Sequence, residues 1–131
     1  MRKDIDIPEV KDVYVAAVKE LHAEYKTEDW NAYIINDGDS PLEMVLIVAQ
    51  GYDDKDMTSH MRHKIAVLPA KGYAKIEFME ESIFRLNNFF SVTYFLHNKM
   101  YEKRWEFPAN TITDDNAFEV PVMRKKGVLA R

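Results

Sequence analysis

The chain has 131 residues, of which 47% are hydrophobic and 31% charged, with a formal net charge of -4 and no cysteine. This length and apolar share fit one folded domain rather than a disordered chain, and the missing cysteines exclude a disulfide framework, a thiolate metal site and a cysteine nucleophile. No apolar run approaches the roughly 20 residues of a membrane helix, and the small acidic excess argues against binding a phosphate backbone.

The N-terminus, MRKDIDIP, is basic at its start but has no apolar stretch behind it. No secretory signal is expected, and a cytoplasmic location is. Val10 to Leu21 admits two readings. Val10, Val13, Tyr14, Ala17, Val18 and Leu21 form a helical stripe behind Pro8, whereas the density of Val and Tyr favours a strand over Asp12 to Glu20. The strand is preferred, with Leu21 to Asp29 as a polar connection. Trp30 to Asn36 alternates as a second strand. Asp37-Gly38-Asp39-Ser40-Pro41 has turn chemistry, and Leu42 to Gly51 returns as a third strand, so this stretch is predicted to be a β-hairpin. The return strand is apolar on both faces: Leu42, Met44, Leu46 and Val48 on one, Val45, Ile47 and Ala49 on the other. An outer face of that kind needs a cover, from this chain or from another subunit.

Tyr52 to Ser59 is a polar loop, and His60 to Leu68 is a strand that ends at Pro69. Gly72 to Met79 alternates as a half-buried strand, and Glu80 to Leu86 is predicted to be a single helical turn crossing between sheets. Phe89 to His97 and Met100 to Phe107 form a further hairpin, with Tyr101, Lys103, Trp105 and Phe107 on one face. Ala109 to Glu119 is a loop. Six or seven short strands without a βαβ rhythm imply an all-β fold in one domain over residues 1–131: an antiparallel two-sheet β-sandwich, immunoglobulin-like in broad shape, with at most one or two helical turns.

Candidates for chemistry are sparse. Asp53, Asp54, Asp56, His60 and His63 are metal-ligating types in one loop. Lys55 interrupts them, and on a strand His60 and His63 point to opposite faces, so a solvated acidic loop is the preferred reading. The alternative is a small-ligand or metal site in the 53–63 loop. Ser40, Ser59, Ser82 and Ser91 lack a Gly-x-Ser-x-Gly elbow, the pairs Glu80-Glu81 and Asp114-Asp115 read as element starts or loops, and the four glycines form no phosphate loop. No catalytic, cofactor or metal residue is therefore assigned, and the chain is not read as an enzyme. Residues 120–131, VPVMRKKGVLAR, form an apolar-basic tail. The tail is predicted to dock along a sheet of its own chain or of a twin subunit, covering the outer face of Leu42 to Gly51, or else to add to a partner.

The strings IPEVKDVYVAAVKE, WNAYIIN, LEMVLIVAQGYD, MRHKIAVLPAKGYAKIE and MRKKGVL together resemble a family of short bacterial proteins of about this length, and the resemblance spans nearly the whole chain. Members are often labelled phenylalanyl-tRNA synthetase subunit alpha. That label implies aminoacylation. A further alternative is a tRNA- or synthetase-associated accessory role for the Arg124 to Arg131 tail. No Arg-containing ATP motif of the class II synthetase kind is present, so the resemblance carries over no site residues. The sequence points to a non-enzymatic protein-interaction or scaffolding module with a protein partner, self-associating as a homodimer through an apolar sheet face. Nucleic acid is disfavoured as a partner, and no membrane is implied.

Overall fold

The computed structural model describes residues 8–58 and 60–131. The N-terminal segment read for a signal and the candidate Ser59 lie outside the described residues. Nine strands follow in chain order: β1 (Val13–Leu21), β2 (Glu28–Asn36), β3 (Leu42–Tyr52), β4 (Met61–Leu68), β5 (Gly72–Met79), β6 (Asn87–Leu96), β7 (Lys99–Phe107), β8 (Phe118–Glu119) and β9 (Lys126–Leu129). They make two antiparallel sheets, a five-stranded one ordered β5-β2-β1-β9-β8 and a four-stranded one ordered β4-β3-β6-β7. Helical structure is confined to two 3-10 turns, Glu81–Ile83 and Asp114–Asn116. Among the described residues, no helix is long and apolar enough to cross a membrane.

The all-β two-sheet sandwich is the architecture expected from the strand pattern. β1, β2 and β5 pair together, as do β3, β6 and β7, which is the grouping of strands A, B, E and C, F, G in an immunoglobulin sandwich. β4 extends the second sheet beyond β3 instead of extending the first beyond β5. Period-2 alternation builds the core between the layers. Val15, Ala17, Ile34, Ile76, Val45, Ile47, Phe90, Val92, Tyr94, Trp105 and Phe107 all enter it. Phe90 meets Phe107 edge to face at 5.9 Å, and Trp30 meets Phe84 at 6.3 Å.

The expected hairpin of Trp30 to Asn36 with Leu42 to Gly51 does not form. β2 pairs with β1 and β5, and β3 pairs with β4 and β6, so the two strands lie in different sheets. The connection is an arch between layers. Buried Asn36 fixes it: its amide donates to the carbonyls of Ser40 (2.9 Å), Leu68 (3.2 Å) and Pro69 (3.0 Å), while its Oδ1 accepts from the Gly38 N–H (3.0 Å). Asn36 thus stitches this arch to the neighbouring one between β4 and β5. Strands that are apolar on both faces belong inside a sheet and not at its edge, and β2 and β3 are each interior strands of their own sheet. The true hairpins are β1–β2, β3–β4 and β6–β7. The last turns through His97 and Asn98, both at positive φ (51° and 63°), as a two-residue turn that matches strand twist requires.

Several boundaries shift, and the expected loop of Ala109 to Glu119 ends in β8 at Phe118–Glu119, because β9 beside it supplies a pairing partner. β1 runs on to Leu21 and β2 begins at Glu28, so the polar connection shrinks to residues 22–27. β4 begins at Met61, which leaves His60 in the loop. The expected helical turn between Glu80 and Leu86 is present as Glu81–Ile83, and it carries the chain from the first sheet to the second.

Candidate protein-binding face

The acidic loop organises itself. Asp53 Oδ1 accepts the backbone N–H groups of Lys55 (2.8 Å) and Asp56 (2.6 Å). Its Oδ2 lies 3.1 Å from Arg85 Nη1, and Arg85 Nη2 is 3.3 Å from Asp56 Oδ2. The backbone N–H groups of Asp56 and Lys55, followed by Arg85, hold the Asp53 carboxyl below the usual carboxylate range. Asp54 and His60 are exposed. His63 Nε2 meets Glu77 Oε1 at 2.8 Å, joining the edge strands of the two sheets. The loop's carboxylates and its second histidine therefore point to different partners. Among the described residues, no three His, Asp or Glu side chains converge as a metal site. Ser82 bonds Glu80 at 3.4 Å, and Asp114 takes Lys19 at 3.0 Å. These contacts brace connections and assemble no nucleophile–base pair.

The outer face of the first sheet is covered over β1 and β2 by the C-terminal segment. β9 pairs with β1 (Ala16↔Leu129, Ala17↔Val128, Val18↔Gly127) and β8 pairs with β9. Val120 and Met123 pack over Ala16, Val18, Tyr33 and Ile35 in a second apolar cluster. The tail thus docks on its own chain, as expected, but at β1 and not over Leu42 to Gly51. The signal for this destination was in β1 and β2 themselves, whose outward Ala16, Val18 and Ile35 are as apolar as anything on β3.

Glu20 pins the same segment. Its Oε2 receives Lys125 Nζ (2.7 Å), and its Oε1 receives Tyr33 Oη (2.6 Å) and Asn31 Nδ2 (3.0 Å). Burial works to raise the Glu20 carboxyl, but the hydrogen bonds from Lys125, Tyr33 and Asn31 outweigh it and leave it below its ordinary value. Burial, reinforced by the Glu20 carboxylate, pushes the Tyr33 phenol well above the usual range. Beside this network the 22–27 loop and Phe78 border a surface hollow of about 600 Å3, floored by Asn31 and Lys75. Lys125, one of the tail's four basic residues, is thereby committed to structure.

The outer face of the second sheet carries no such cover among the described residues. Strand register arranges it in rows. Lys64, Leu46, Thr93 and Glu102 lie side by side across β4, β3, β6 and β7. Arg62, Val48, Ser91 and Arg104 make the next row. Leu46 is 45% exposed. Because Ser91 and Thr93 are small, a trough of about 580 Å3 runs along β6 between the β3 ridge of Leu46 and Val48 and the β7 residues Glu102 and Arg104. Arg104 is drawn along the strand to stack on Phe89 (3.9 Å) and to reach Glu106 (3.4 Å). Arg62, Lys64 and Glu102 form no ion pair with any described residue. Leu46 and Val48 of the apolar ridge were legible in the sequence, but Leu42, expected on the same face, turns into the core across the register shift between Glu43 and Leu46, where Met44 has a φ of 50°. The trough and the charged margins were not legible, because they exist only once register sets Thr93 beside Leu46.

The sheet edges are less suited to pairing. β4 carries Arg62 and Lys64, β5 has a register shift opposite Ala32/Tyr33, β8 has two residues, and β7 is bridged at Glu106 by reciprocal 2.9 Å bonds with Arg131. Charges, bulges and short strands are the usual guards against edge association. What remains is a two-sheet β-sandwich with one face covered over β1 and β2 by its own chain and one face open along its whole width. No family model, no curated protein and no solved structure matches this chain.

Proposed function

We propose that this protein is a non-enzymatic interaction module whose binding surface is the outer face of the β4-β3-β6-β7 sheet. The observation that carries the reading is the asymmetry of the two layers. On the first sheet Ala16, Val18, Tyr33 and Ile35 sit under Val120 and Met123, although Tyr73 and Phe78 at the β5 edge stay exposed, whereas Leu46 and Val48 at the middle of the second line an open trough. A ridge of aliphatic side chains rimmed by charge has the make-up of a protein interface, with an apolar centre and a polar margin. The acidic loop, clamped by its own backbone N–H groups and by Arg85, favours binding at the open face over chemistry in the 53–63 loop.

The test compares three baits made from the full chain: wild type, Leu46→Glu on the open face and Phe78→Glu on the first sheet. Both substituted residues are exposed, so each variant should fold. The proteins retained from the native cell extract, this chain included, should be lost with Leu46→Glu and kept with Phe78→Glu. Equal retention by all three baits, or none by the wild type, contradicts the assignment.

A further inference from the structure

Resting on that reading, we infer that the occupant of the open face is a second copy of this chain, packed face to face about a two-fold axis that runs parallel to the strands between β3 and β6. Such an axis exchanges β3 with β6 and β4 with β7. The Leu46–Val48 ridge of one copy then lies over the trough above Ser91 and Thr93 of the other, and the reciprocal contact forms at the same time. An isologous interface must be self-complementary in this way, and the strand order here places ridge and trough at equal distances from the axis.

The charges at the margins obey the same operation. Lys64 and Glu102 occupy one row at opposite edges of the sheet, and neither is paired with a described residue of its own chain. The axis brings Lys64 of each copy over Glu102 of the other. Sheets packed in this manner cross at about 30°, which at roughly 7 Å from the axis displaces the pair by roughly 4 Å, within reach of a lysine side chain. The same axis would set Arg62 against Arg104. Arg104, however, is already turned toward Phe89 and Glu106, which relieves that repulsion. An axis perpendicular to the strands would place β4 over β4 and oppose Lys64 to itself, so the charges select one of the two face-to-face arrangements.

Size sets the strength. Four strands of about nine residues present roughly 600 Å2 per copy, at the low end of specific interfaces. The association is therefore expected at micromolar concentration.

Sedimentation velocity across a concentration series of the full chain tests the inference. Wild type should pass from monomer to dimer in the micromolar range, and Leu46→Glu should remain monomeric. Lys64→Glu and Glu102→Lys should each weaken the dimer about tenfold, and the double reversal Lys64→Glu/Glu102→Lys should restore it. Since all three positions are exposed, the charge swaps leave the fold intact, which unchanged thermal midpoints would verify. A wild type that stays monomeric throughout, or a dimer indifferent to Leu46→Glu and to the charge reversals, overturns the second-copy assignment. A monomeric wild type whose Leu46 still governs retention of another protein sinks this inference alone and leaves the interaction module standing.

Discussion

Glu20 shows how one side chain can hold two distant parts of the chain together. Its carboxylate collects Lys125, Tyr33 and Asn31, and so ties the C-terminal segment to the centre of the first sheet. Lys125 is half-exposed, with 50% of its side chain open to solvent against 18% for Glu20, so screening limits what the ion pair contributes. Glu20→Gln keeps an acceptor for Tyr33 and Asn31 but loses the charge. It should destabilise the fold by about 1 kcal/mol at neutral pH, measured by urea denaturation. The sign of the pH dependence follows from the lowered carboxyl. The stabilisation is present above the unfolded value of 4.5 and is lost as pH falls through the lower folded value. The gap between wild type and Glu20→Gln should therefore close in acid, and a gap that persists unchanged there would show that the charge is not its source. Nothing in the local sequence marks Glu20, which reads as an ordinary polar strand end. Its partners come from a neighbouring strand and from a segment 105 residues away.

Among the elements, β9 carries the most consequence for its length. It has four residues, yet it extends the first sheet beyond β1 and brings Val120 and Met123 over the outer cluster. Gly127 makes this approach possible. A Cβ there would stand 2.8 Å from the Ala17 carbonyl oxygen, 3.1 Å from Val120 Cγ1 and 3.2 Å from Val18 Cγ2. Backbone cannot yield as a flexible side chain does, so Gly127→Ala should push β9 off β1 at a cost of about 1–3 kcal/mol. An unchanged urea midpoint would contradict the close packing of β9. The strands themselves were largely legible, because alternation such as Ala74, Ile76 against Tyr73, Lys75 is written residue by residue. Their pairing was less so. Asp37 to Pro41 has the composition of a hairpin turn but bridges two layers, because Asn36 spends its amide on the adjoining arch. Turn chemistry is local, whereas the choice between a hairpin and an arch depends on which neighbours complete each sheet. The C-terminal segment illustrates the same point. Its apolar content announced that it would dock, but two candidate faces competed, and β1 offered an open backbone edge as well as apolar side chains.

At the scale of the whole molecule, the two layers differ in what lies outside them. The first sheet is covered over β1 and β2 by its own chain, and the second ends in a ridge, a trough and two charged margins that pair with no described residue. The fold class could be read from composition and period alone. The open face could be read only in part: Leu46 and Val48 stand out as apolar residues on an outward stripe, while the complementarity of Lys64 with Glu102 depends on cross-strand register. The proposed site of association is the open face and not the first sheet. Hydroxyl-radical footprinting of the full chain, read by mass spectrometry at dilute and at high concentration, addresses it most directly. Leu46 should be labelled readily when dilute and protected when concentrated, while exposed Tyr25 and Phe78 on the other side keep their labelling. Labelling of Leu46 that ignores concentration, or protection that falls on Phe78 and Tyr25 instead, would contradict the account.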